Sequence, residues 1–151
     1  MNIPRAIAAG VIGGAVVDLF LIIVRAAPFP GIYQFIASAL VGPVAFTSSA
    51  YILLGLVMHF AISIVAALAY AYVATRSRAL IENPTLWGAI FGVGVMVVMQ
   101  VVTGVAHVSP PPTVIGIVIG LLSHVVFFGL PVAWYIALGE KRETRSLKTA
   151  A

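Results

Sequence analysis

Residues 50–74 read AYILLGLVMHFAISIVAALAYAYVA, an uncharged apolar run broken by one histidine. At 1.5 Å per residue, a helix of this length crosses the roughly 30 Å hydrocarbon core of a bilayer. The run lacks the two-residue alternation of a membrane strand, and a helix satisfies its own backbone where there is no water. Three further runs read the same way. The first spans about 6–24 (AIAAGVIGGAVVDLFLIIV) and the last about 113–138. Between them, about 84–106 opens with NPTLWG, where Asn83 can cap and Pro84 suits the first helical position. The expected fold is all-α: a polytopic membrane domain at 1–139 with four transmembrane helices in a compact bundle, then a basic solvated tail at 140–151.

The composition points the same way. Of 151 residues, 62% are hydrophobic and 8% charged, with a mean hydropathy of +1.17. A soluble domain carries about a quarter charged residues. The absence of cysteine excludes disulfides, thiolate metal centres, iron–sulfur clusters and thiol nucleophiles. Charge reports orientation: with the N-terminus cytoplasmic, Arg5, Arg76, Arg78, Lys141, Arg142, Arg145 and Lys148 fall inside and Arg25 alone outside. That bias predicts an N-in, C-in arrangement, with Trp87, Trp134 and Tyr135 as anchors at the inner interface. Val24–Ala26 would pass as a signal-peptide cleavage site, but the length of the first run and its Asp18 favour a span.

The connections differ in kind. Residues 107–112, HVSPPP, form a short stiff turn, and 75–83 a basic inner loop. The outer segment 26–49, AAPFPGIYQFIASALVGPVAFTSS, reads as an amphipathic loop in preference to a true re-entrant element, with an interfacial or re-entrant helix in its middle as the alternative. Two stretches share a pattern: GLVMH ending at His59 and GLLSH ending at His124. Aligning Gly10–Asp18 with Gly92–Gln100 extends the echo into a duplicated two-helix unit, both copies inserted in the same sense.

A polar side chain within a span is costly and usually faces the bundle interior. At 100° per residue, Asp18 shares a face with Gly10 and Gly14, and His59 with Gly55 and Ser63. Gln100 and Thr103 fall with Gly88 and Gly92, and His124 with Gly116 and Gly120. These glycines are the expected helix-packing positions. Counted from each span's midpoint, Asp18, His59, Gln100 and His124 lie within about 2–6 Å of the centre, on the outer side. One polar group per helix at one level predicts a polar layer, supported by Arg25, Ser63, Thr103 and His107, beneath a cavity open to the outside.

The stretch GLVMHFAISIVAALAYAYVA, followed by LWGAIFG, the proline turn VSPPP and SHVVFFG, resembles the YagU-like family of bacterial inner-membrane proteins over roughly residues 50–135. Ser123 stands where that family has glycine before the last histidine, and the outer segment is shorter. The resemblance implies a bacterial inner-membrane location and an association with acid resistance.

Three functional readings follow. The polar layer either registers the helices of a scaffold or accessory subunit, or forms a proton-responsive or small-solute pathway in which Asp18, His59 and His124 carry protons. In the third, His59 and His124 hold haem, or with Asp18 a divalent metal. No cofactor is required by any motif. The sequence has no G-x-S-x-G elbow, phosphate loop or H-E-x-x-H, and Gly92–Gly94 lies inside a span, so enzyme chemistry is not expected. The expected partners are the lipid bilayer and a second copy or larger membrane complex, with no nucleic acid.

Overall fold

The structure, a computed structural model, describes residues 1–25, 29–106 and 113–150. Its helices are α1 (Ile3–Arg25), α2 (Phe29–Val41), α3 (Ala50–Ala74), α4 (Ala79–Glu82), α5 (Pro84–Val105), α6 (Val114–Leu121) and α7 (Leu130–Ala150). A 3-10 turn at Gly42–Phe46 follows α2, and a π-helical segment at Leu122–Gly129 joins α6 to α7 in one continuous rod. Among the described residues there is no strand. Four helices are long and apolar enough to cross a membrane: Ile3–Val24, Ala50–Ala74, Pro84–Val105 and Val114–Glu143. They match the four runs of the sequence, and the tail at 140–151 continues α7 as helix to Ala150.

Helix α1 lies between α3 and the α6–α7 rod, and α5 packs on the rod. The interior is built from small side chains: Ala6, Ala9, Ala67, Ala71, Ala133 and Ala137 are buried, while Leu53, Val57, Val65, Ile90 and Val97 point outward. That inversion suits lipid, where tails solvate large aliphatics and helices associate by close backbone approach. A Cβ at Gly10 would fall 2.6 Å from the Ile64 Cα, and one at Gly92 2.6 Å from the Val125 Cα. Gly55 and Gly88 are held as tightly, and a Cβ at Gly14 would lie 3.0–3.3 Å from the side chains of Ser63, His59 and Phe60, so five of the expected packing glycines do pack. Gly116 and Gly120 do not: a Cβ at Gly116 would touch only Thr113 Oγ1, and one at Gly120 only the Met96 side chain.

Local chemistry accounts for the helix ends. Thr113 caps α6, its hydroxyl accepting from the Gly116 N–H at 3.0 Å. Pro84 begins α5, but the Asn83 side chain does not cap it; Trp134 instead donates its indole N–H to the Thr85 hydroxyl at 3.2 Å. Pro131 explains the π-helical segment. It has no N–H, and its ring crowds the carbonyl four residues earlier, so the turn before it widens to i→i+5 bonding. The Leu130 N–H accordingly reaches the Val125 carbonyl.

The outer segment corrects the expectation of a loop: 29–41 is helical and packs along α3. Tyr33 and, one turn on, Ala37 and Ser38 are 3%, 0% and 1% exposed, enough to anchor a helix on its neighbour. Gly42, at φ +72°, ends it. At the opposite end, Arg5 Nη2 lies 2.9 Å from Glu143 Oε1, which also accepts from the Asn2 amide at 2.9 Å. The guanidinium folds over Gly139, so the start of the chain is pinned to α7.

Candidate functional site: the buried Asp18 cluster

Asp18 stands on α1 two turns beyond Gly10, on the face that glycine brings against α3, and is 6% exposed. A carboxylate so enclosed needs donors. Its Oδ2 accepts from the Tyr33 hydroxyl of α2 at 2.7 Å. Its Oδ1 lies 3.1 Å from His59 Nε2 of α3. The same Nε2 also faces the Gly14 carbonyl at 3.2 Å. One N–H cannot point squarely at two acceptors, so Oδ1 has a close neighbour but no well-aligned donor. Two acceptors around Nε2 place the imidazole proton there.

Three elements thus converge on one carboxyl group. Tyr33 reaches it because the Tyr33 backbone crosses α3 at Gly55, where its carbonyl occupies the space a Cβ would need. Burial, and then the Asp18 carboxylate beside it, push the Tyr33 phenol above its usual range. It therefore stays a donor across physiological pH. Ser63, one turn from His59, is buried against α1, where a Cβ at Gly14 would lie 3.0 Å from its hydroxyl. Phe60 meets the His59 ring edge-on at 5.2 Å. In place of a cavity open to the outside, α2 lies over the carboxylate.

His124 is turned to its own helix. Its Nδ1 lies 2.8 Å from the Gly120 carbonyl and 3.1 Å from Ser123 Oγ, whose hydroxyl donates to that carbonyl at 2.9 Å. A carbonyl partner puts the proton on Nδ1 and leaves Nε2 as the acceptor.

Gln100 does not join the layer: it is exposed. The packed arc of α5 centres on Gly88, Gly92 and Met99, and Gln100 lies about 100° from it. The face read from the sequence was too broad. Of the expected four-residue layer the structure brings Asp18 and His59 together and leaves Gln100 and His124 apart, and Asp18 and Gln100, aligned in the suggested repeat, occupy unlike environments. Thr103 donates to the Met99 carbonyl of its own helix at 2.9 Å. Arg25 ends α1 but its side chain is outside the described residues, as is His107.

Among the described residues no three His, Asp or Glu side chains are placed to hold a metal ion. The expected set of His59, His124 and Asp18 is not assembled: His59 lies beside Asp18, while His124 faces the Gly120 carbonyl of its own helix. Sequence reasoning missed Tyr33 altogether, although the spacing of Tyr33 and Ala37 is that of a helix burying one face. It also missed Gly13, packed on Phe128 and Val132, and the Phe20–Phe127 stack at 4.1 Å. No family model, curated protein or solved structure matches the chain.

Proposed function

We propose that the protein is a proton-responsive membrane protein in which the Asp18–His59–Tyr33 cluster couples protonation to the docking of α2 on the bundle. The observation that carries this reading is that the Asp18 carboxyl group, which accepts from the Tyr33 hydroxyl of α2, also adjoins the His59 imidazole. Carboxyl and imidazole are the groups whose charge changes between neutral and acid pH. The bond from Tyr33 is charge-assisted while Asp18 is ionised, and such bonds are about twice as strong as neutral ones. Protonation of Asp18 weakens it and loosens α2 from α3. On this reading the charge-assisted bond outweighs the cost of covering the ionised carboxylate with α2, so docking is strongest at higher pH and fades as pH falls through the titration of Asp18. In the N-in arrangement α2 faces the outside, and the resemblance to the YagU-like family gives this response a role in acid stress at a bacterial inner membrane.

The absence of native cysteine makes the test clean. Ser38→Cys places a thiol on the buried face of α2, and Thr47→Cys places one on exposed backbone nearby as a reference for the pH dependence of the reagent. The ratio of their maleimide labelling rates in reconstituted vesicles is expected to rise several-fold between pH 7.5 and 5, and Asp18→Asn to flatten it. A ratio independent of pH in the native background would reduce the cluster to a device that registers helices.

A further inference from the structure

The far side of α5 has no neighbour in the bundle, since α5 packs against α4, α6, the π-helical segment and α7 alone among the elements in substantial contact with it. On that side Leu86, Ile90, Val93, Val97, Gln100 and Gly104 are all exposed. Their spacing is four, three, four, three, four, which is the heptad seam of a left-handed helix pair. Bundles in membranes cross mostly with that geometry.

A lipid-facing surface has no use for Gln100. The side-chain amide of Gln100 has no partner among the described residues. It sits on a helix that, away from its ends, otherwise offers lipid only aliphatics and glycine on this face. An amide in hydrocarbon is costly until it is bonded. It carries both a donor and an acceptor, so its best complement is another amide at the same depth.

We infer that α5 is a self-association surface, on which a second copy of this chain packs in parallel about a two-fold axis normal to the membrane, with Gln100 bonded to its counterpart. Both copies insert in the same sense, so the axis brings each seam residue to the same depth as its twin. Gly104, where a Cβ would meet nothing within 4 Å in the single chain, lets the two helices approach at the end next to Gln100. The polar seam residue fixes register and orientation, as single amides do in coiled coils. The inference is independent of the proton response, because α2 and Asp18 lie on the other half of the bundle.

Single cysteines test it in native membranes. Val93→Cys and Val97→Cys are expected to give disulfide-linked dimers under mild oxidation. Val98→Cys and Val102→Cys, equally exposed but off the seam, are expected to give several-fold less. Gln100→Leu should lower the dimer fraction about threefold to tenfold on dilution in lipid, the range expected of one interhelical bond, with no change in the unfolding temperature of the single chain. Equal cross-linking on and off the seam, a chain that stays monomeric at every lipid dilution, or a dimer indifferent to Gln100→Leu would each overturn the inference. So would association only with an unrelated membrane protein.

Discussion

The two Gly-Leu-x-x-His stretches look alike in sequence and do different work. In the first, Gly55 is pressed against the Tyr33 backbone and His59, one turn on, sits 3.1 Å from a buried carboxylate. In the second, Gly120 faces a mobile methionine and His124 turns back to the Gly120 carbonyl of its own helix. What differs is the neighbour. The first half has α2, which supplies a backbone to be received and a hydroxyl to be bonded; among the described residues nothing comparable covers α6. Even the shared device of glycine docking is displaced: Gly10 meets Ser63 and Ile64, whereas Gly92 meets His124 and Val125, one turn nearer the histidine. A polar residue in a span therefore acquires its role from the element laid across it, and the same word can be an interhelical latch or a closed local turn.

The contrast is broken most forcefully at the glycines. Gly55→Val would drive two methyl groups into the Tyr33 main chain, which cannot swing aside, and is expected to cost about 3 kcal/mol, the upper range of overpacking. Gly120→Val displaces only the Met96 terminus and should cost under about 1 kcal/mol. Unfolding of the two variants in the same detergent measures the difference. Similar losses would mean that the two glycines pack alike.

Next in size is the hydroxyl that distinguishes the halves. Tyr33→Phe removes the donor to Asp18 Oδ2 and leaves a buried carboxyl group with one ill-aligned neighbour, for an expected loss of about 2 kcal/mol. Ser123→Ala removes a donor from the Gly120 carbonyl, which His124 still serves, and should cost about 0.5 kcal/mol. If Ser123→Ala were the more damaging, His124 would have to be held by more than its own turn.

The spans, their polar residues and most packing glycines were legible because each rests on a property of one helix: length, charge and a 100° period. The meeting of Asp18 with His59 followed, since Gly10 and Gly14 mark one face of α1 and His59 the matching face of α3. Tyr33 was not legible, because its role depends on where α2 crosses α3, and no period within either segment records a crossing. Gln100 was misplaced for a related reason. The third span has small or polar residues over more than half its circumference, so periodicity alone could not say which flank met the rod and which met lipid.

The smallest effect separates propensity from packing at one site. Gly120→Ala adds a single methyl group 3.3 Å from Met96 Cε and 3.8 Å from Met96 Sδ. Methionine has three rotatable bonds and re-packs readily, so the contact relaxes at little cost. Alanine favours helix over glycine by up to about 1 kcal/mol, and the neighbouring π-helical turn already has its wide geometry imposed by Pro131 and not by the glycine. The two effects nearly cancel, and the variant is expected to unfold within about 0.5 kcal/mol of the native chain. A loss of 2 kcal/mol or more would show that α5 approaches α6 by backbone contact, as α2 approaches α3 at Gly55, and the distinction between the two halves would then lie in the carboxylate alone.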